Sequence, residues 1–423
     1  MKKLIATLAG AALMTIATAQ MAEAQVLFWS NQAAPVEEAQ KVRDTVVKNF
    51  PGGVDFEPQD PGPFITRIQA EEQAGKGTIG VIGGLHGDLA NFANDFVDLS
   101  DVDLGAVKPS PAFMQLGKLG TSEQKYLPWM QANYVMVANK QALPYLPQGA
   151  DINNLTYDQL IEWGKNMADK TGSPKLGFPA GPKGLMHRFF QGFLLPAYTG
   201  SEVSKFRSAD AVAAWTTFKQ LWQYTNPAST NYDFMQEPLL TGDVWVAFDH
   251  IARLGTAIDQ KPDDFVAFPA PKGPKGHAFM PVLAGLAVPK WAPDVAKSKE
   301  LVKYMLQPEQ QVATLMATTF FPVTDAKLPD SLPASIKALG AAVAAETSAP
   351  DALPALLPVG LGDKGGQFNQ VYIDTFQRIA LNGEDIKTVL DSEADTLRQL
   401  MQATKAPCWL PDADSKGQPC PVD

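Results

Sequence analysis

Apolar positions along this chain alternate between short continuous runs and a helical spacing of three to four residues. Val26-Leu27-Phe28-Trp29 is a compact run, the pattern of a buried strand. A helix opened by Pro35 follows, with Val36, Ala39, Val42, Val46 and Phe50 on one face and Pro51-Gly52-Gly53 as its stop. Val54-Asp55-Phe56 alternates as a second strand. Phe64, Ile65 and Ile68 mark a second helix ending near Gly75, and Thr78 to Ile82 is a third strand. The order β-α-β-α-β predicts a parallel sheet with helices on both faces. Ligands bind beyond the carboxyl ends of such strands. That puts Ser30-Asn31-Gln32 and Gly84-Leu85-His86 at a binding edge.

The middle of the chain is mostly helical. Thr156-Tyr157-Asp158-Gln159 has the spacing of a capping box, opening a helix to about Lys170 with Gly172 just past its end. Val212, Trp215, Phe218 and Trp222 share one face of a helix over 208–224. Residues 244–248 read as a compact strand and Phe279 to Val288 as a second cluster. The Ala/Pro-rich stretch 333–358 reads as surface helix and loop. Ile386, Val389, Leu390, Leu397, Leu400 and Met401 recur at helical spacing near the end.

The first 24 residues carry an address. Lys2 and Lys3 precede an apolar run from Leu4 to Ala19, and Ala22-Glu23-Ala24 supplies small residues for cleavage before Gln25. The run is short for a membrane anchor, and no cysteine near the cleavage site offers a lipid attachment point. The expectation is therefore an exported protein. In an oxidising compartment Cys408 and Cys420, the only cysteines, are expected to pair, clipping a polar tail remote from any ligand site. Their spacing is not that of a redox motif. A net charge of −10 argues against nucleic acid, whose phosphates require clustered Lys and Arg. The 423 residues suffice for two or three domains.

Several segments stand in a familiar order: VLFWSNQ before an amphipathic helix, YLPWMQANYVMVANKQAL (126–143), the helix TYDQLIEWGKNM, EPLLTGDVWVAFDH (237–250), FPAPKGPKG (268–276) and GLAVPKWAPDVAKSKELVKYMLQPEQQ (285–311). In these the chain resembles the family 1 extracellular solute-binding proteins, relatives of maltose-binding protein that serve ABC importers. It departs from them in its cysteine-containing tail and in having Gly77-Thr78 where an acidic Pro-Asp pair is common. The resemblance implies an α/β fold of two lobes, each a mixed, mainly parallel sheet flanked by helices, with the ligand cleft between them. Mapped here, it implies lobe one at 26–131 plus 282–322 and lobe two at 132–281 plus 323–423. The chain would cross near Met130–Asn133, Met280–Val282 and Phe321–Val323.

The resemblance also implies the function: a periplasmic component that binds a mono- or oligosaccharide or a polyol by lobe closure, acts as a monomer and delivers its ligand to membrane permease subunits. Sugars need flat aromatics for ring faces and fixed polar groups for hydroxyl rims. Candidates are Asn31 and Gln32 after the first strand, His86 and Asp88 after the third, and Trp129 and Gln131 at the first crossing. In lobe two they are Lys183 and His187, then Asp249, His250 and Arg253, with Phe321, Gly365 and Gln367 from later loops. Asn31, Gln32 and Asp88 serve equally as turn or cap residues, and Trp129 as core. Histidines on separate loops, without metal-site spacing, suit hydroxyl partners better than a metal, and no cofactor is implied. An anionic ligand, such as a sugar or glycerol phosphate or a sulfonated sugar, is the alternative, held by histidine, Arg253, Lys183 and helix N-termini. A ligand-presenting partner of a chemoreceptor is a further alternative. An enzyme is not expected: there is no Gly-x-Ser-x-Gly elbow and no distinctive acid pair.

Overall fold

In the computed structural model, which describes residues 25–33, 36–105, 108–324 and 326–423, the apolar runs form two separate main sheets. The expected leader at 1–24 and Pro35, expected to open a helix, lie outside the described residues. The first sheet contains β1 (Val26–Ser30), β2 (Val54–Pro58), β3 (Ile79–Leu85), β4 (Leu127–Ala132), β10 (Val282–Ala287) and β11 (Phe321–Pro322), in the order β11-β4-β10-β3-β1-β2. The core β2-β1-β3 is parallel, as the βαβ pattern requires, and β10 then runs antiparallel to both β3 and β4. Phe28 of β1 is wholly buried, against Phe56 and Trp129. Burying one such side chain contributes about 1.5–3 kcal/mol.

The second sheet, in the order β6-β7-β5-β8, holds β5 (Tyr134–Asn139), β6 (Leu176–Gly177), β7 (Val246–His250) and β8 (Phe265–Phe268). The expected strand at 244–248 is thus shifted by two residues, carrying Asp249 and His250 into the sheet. The cluster 279–288 is broken by Met280-Pro281 into β9 (His277–Phe279), which pairs with β12 (Ala352–Pro354), and β10. Proline's missing N–H ends the ladder there. The capping box at Thr156 forms, with Gln159 N donating to Thr156 Oγ1 at 3.2 Å and Thr156 N to Gln159 Oε1 at 3.0 Å. Such a cap stabilises a helix by about 1 kcal/mol.

The chain passes between the sheets at Asn133, at 280–281 and after Pro322. Gln131 ties two of these passages together, its Nε2 donating to the Pro322 carbonyl at 2.9 Å. The stretch 333–358 is less superficial than expected. Its helix Ala334–Thr347 buries Ile336, Leu339, Ala342 and Glu346.

Cys408 and Cys420 are bonded. The loop they close packs into the second lobe: Trp409 Nε1 donates to Glu202 Oε2 at 2.7 Å. Buried Asp412 accepts from the Ser201 hydroxyl and from the backbone N–H groups of Glu202, Val203 and Ser204.

Candidate functional site

The carboxyl ends of β1 and β3 open onto a cavity of about 640 Å³ between the two lobes. Asn31, Gln32, Gly87, Asp88 and Asn91 line one wall, and Arg188, Gly365 and Asn369 line the other. Asn31 donates from Nδ2 to Asp88 Oδ2 at 2.6 Å, and Gln32 donates to Asn31 Oδ1 at 2.8 Å. The three side chains form one amide–carboxylate rim across the ends of neighbouring strands. Burial pushes the Asp88 carboxyl up; its bond from Asn31 and the Arg188 charge pull it down. Asp88 lies within the short helix His86–Ala90 and spends its carboxylate on Asn31.

Opposite this rim, Arg188 is held by Gln191, which accepts from Nη1 at 3.0 Å and donates in turn to Asn369 Oδ1 at 3.0 Å. A second guanidinium, Arg253, donates to the Asp233 carbonyl at 3.2 Å and lies 4.4 Å from the centroid of the half-exposed Phe234 ring. Arg253 also stands 3.8 Å from Asp249. Both guanidiniums act on the opposite lobe, Arg188 on Asp88 and Arg253 on Glu38. Burial raises the Glu38 carboxyl to about 7, against the pull of Lys41 and Arg253. The charges of both arginines act on Tyr134, which is stacked on Phe248 with ring centroids 5.7 Å apart.

The histidines divide. His187 is buried beside both arginines; burial first, and their charges second, keep it neutral, and its Nδ1 has no partner among the described residues. Burial lowers His250 to about 3, and its Nδ1 accepts from Ala252 N at 3.3 Å, capping the helix that follows β7. Its ring packs between Tyr134 and Phe320. His86 is lowered to about 4 by burial, and its Nδ1 bonds the Tyr126 hydroxyl at 2.9 Å. Tyr126 lies so close over Gly285 that a Cβ there would come within 2.0 Å of the ring, which fixes the phenol under His86.

Several expected contacts fall elsewhere. Trp129 is fully buried against Phe28 and is a core residue, because β4 at that point turns its side chain into the first lobe. Asp249 is likewise wholly buried, accepting from Met235 N at 3.0 Å and His250 N at 2.7 Å; burial raises it to about 6. It positions the turn and Arg253. Lys183 is exposed and is held by its backbone N–H on Asp233, at 2.8 Å, so Arg188 supplies the cation that borders the cavity. Gln367 faces outward, one residue from the cavity-lining Gly366. Gln131 and Phe321 face each other in the sheet and line a separate hinge pocket of about 280 Å³. The tail reaches the junction of the lobes: Leu410 accepts from Leu356 N at 2.8 Å and lines a second, apolar interlobe cavity.

Sequence reasoning passed over Glu38, Tyr134, Asn91 and Asn369. Glu38 stands near the start of the helix that follows β1, two residues from the exposed Val36, and reads as an ordinary solvated helix residue. Arg188, the next residue after the candidate His187, was passed over as well. Consecutive residues on a helix diverge by about 100°, and the sequence does not reveal which of the pair faces the cavity.

The fold is shared with solved binding proteins. Maltose-bound MalE3 of T. maritima superposes with a TM-score of 0.69 at 18% identity, covering 89% of this chain and 99% of that one. The GacH receptor of Streptomyces glaucescens, solved unliganded and with acarbose, gives 0.69 at 17% identity, covering 89% and 98%. UgpB of Mycobacterium tuberculosis, in complex with glycerophosphocholine, gives 0.67 at 17% identity, covering 90% and 99%. A search of curated proteins gives no match. The sequence itself matches the family described as bacterial extracellular solute-binding protein over residues 44–342. With that match spanning most of its length, the chain belongs to the bacterial extracellular solute-binding protein family.

Proposed function

We propose that this chain is the periplasmic carbohydrate-binding component of an ABC importer, closing its lobes on a neutral mono- or oligosaccharide or polyol and presenting the closed form to membrane permease subunits. The observation that carries the reading is the composition of the interlobe cavity. Amides and the Asp88 carboxylate on one wall face guanidinium and amide groups on the other. Such groups bracket hydroxyls, which both donate and accept. Lobe one comprises 26–131 plus 282–322 and lobe two 132–281 plus 323–423. A ligand touching both walls favours the closed arrangement by its differential affinity for it.

Charge favours a neutral ligand over an anionic one. Arg188 is opposed by Asp88, and Arg253 stands 3.8 Å from Asp249, so neither guanidinium is left as an uncompensated anion holder. The T. maritima and S. glaucescens proteins, solved with maltose and acarbose, support the carbohydrate reading. The UgpB complex keeps glycerophosphodiesters as the competing class. The test is calorimetric titration with maltose, galactose and glycerophosphocholine at low and high salt. A neutral sugar that binds with salt-independent affinity fits the proposal. Binding of glycerophosphocholine alone, or affinity that falls steeply with salt, overturns it.

A further inference from the structure

A second interlobe cavity, of about 600 Å³, lies on the other side of the turn that carries Gly87. From the first lobe Phe113, Leu116 and Leu283 face it; from the second, Phe279, Leu357 and Leu410. Leu357 lines this cavity and the polar one alike. Four polar side chains line it; Gln115 is exposed, and the other three are hydrogen-bonded elsewhere. His86 Nδ1 is bonded to Tyr126, Gln131 Nε2 to the Pro322 carbonyl, and the Thr347 hydroxyl to the Val343 carbonyl at 2.9 Å. A sugar ring in this cavity would leave hydroxyls unpaired, at a cost that a hydrocarbon avoids. The volume falls within the range of small-molecule sites.

Two further facts place the cavity in the ligand's path. Its walls come from both lobes, so closure forms it, and it adjoins the polar cavity at Leu357. Its outer wall is built by the disulfide loop: the Leu410 carbonyl holds Leu356 N, and the Leu410 side chain is half exposed at the rim.

We infer that this cavity is an apolar subsite that receives a hydrocarbon substituent, alkyl or aryl, of the ligand whose polar part occupies the Asn31–Asp88–Arg188 cavity. The inference rests on the carbohydrate reading for the polar part and adds a substrate class, glycosides and related amphiphiles with a hydrophobic aglycone. It gives the disulfide loop a recognition role besides its structural one.

The test uses two probes on the whole mature protein. N-phenyl-1-naphthylamine, a neutral fluorophore that brightens in apolar sites, reports the cavity without any sugar. Butyl, hexyl and octyl β-D-glucosides, below their micellar concentrations, report coupling to the polar site, with glucose and maltose as free-sugar controls. Ala112→Trp fills the cavity from an exposed helical position, and Leu116→Gln makes its wall polar; circular dichroism and thermal midpoint check that both fold. The expected result is bright fluorophore binding, lost at least tenfold in Ala112→Trp, and glucoside affinity rising up to about fourfold per added methylene. Fluorophore binding unchanged by both variants, or a flat chain-length series, overturns the inference. A rising series without response to free sugars keeps the subsite and sinks the carbohydrate reading. A response to free sugars with a flat series does the reverse.

Discussion

Gly87 lies against the carbonyl of Pro358 so closely that a β-carbon on it would sit 2.1 Å from that oxygen. The two residues belong to facing walls of the same interlobe cavity. One turn further on, Asn91 Oδ1 accepts from Gly362 N at 3.0 Å, a side-chain contact to the facing backbone. Together they set how near the lobes come. Gly87 sits within the helix His86–Ala90, where alanine suits the backbone. Gly87→Ala should therefore fold normally and fail to close fully. Ligand affinity should fall by about tenfold or more, equivalent to about 1.4 kcal/mol, while the thermal midpoint of the unliganded protein holds or rises. Calorimetry and solution scattering with ligand check this; full compaction in the variant would count against a latch.

Arg188 and Lys183 separate a cavity cation from a surface one. Arg188→Ala removes a donor held in place by Gln191 at the cavity wall and should weaken ligand binding by about 1–3 kcal/mol. Lys183→Ala removes an exposed side chain whose backbone alone is engaged, and should bind within about twofold of the parent. Equal losses in both would move the cationic part of the site outward, towards the loop.

The scaffold was largely legible because it follows from periodicity. The parallel strands of the opening, the Thr156 box and the helix at 386–404 appear as read, while Val36, expected on the apolar face of the first helix, is exposed. The site was less legible because its members are chosen by side-chain direction. Trp129 and Gln131 both lie on β4, yet one packs in the core and the other reaches the hinge, as strand alternation and local register dictate. Asp249 and His250 look like ligand donors at a strand end, but Asp249 accepts from the N–H groups of Met235 and His250, and His250 Nδ1 accepts from Ala252 N. Glu38 has no sequence mark at all: its burial, and the charge of Arg253 from a distant part of the chain, appear only in the folded structure.

The tail offers a stability test independent of ligand. Asp412 is the acceptor for three backbone N–H groups and a hydroxyl of the 201–204 segment. Asp412→Ala strands buried donors and should destabilise the protein by about 2–4 kcal/mol. Asp412→Asn keeps one acceptor and should lose less. Replacing both cysteines by serine should cost on the order of 3 kcal/mol by loop-closure reasoning. Chemical denaturation of the three variants checks the ranking; an unchanged midpoint for Asp412→Ala would mean that the loop docks through Trp409 alone.

The last prediction concerns pH and rests on Glu38. Burial raises its carboxyl from an ordinary 4.5 to about 7, and the expectation is that lobe closure supplies that burial. A group that is raised on closure prefers to be protonated there, so closing the lobes takes up a proton between those two values. The sign follows directly. Glu38 favours closure most below about 4.5, where it is neutral in both forms, and this preference is lost as pH rises through 7. Arg253 opposes the shift and keeps it from being larger. Ligand affinity should therefore weaken from pH 5 to pH 8, after allowance for titration of the ligand itself. Glu38→Gln, neutral at every pH, should flatten this part of the profile and bind at pH 8 at least as well as the parent. Calorimetry in two buffers of different ionisation enthalpy would also detect proton uptake on binding near pH 6, absent in the variant. A parent profile that is flat from pH 5 to 8, or identical proton uptake in Glu38→Gln, would show that the Glu38 carboxyl is not covered by lobe closure.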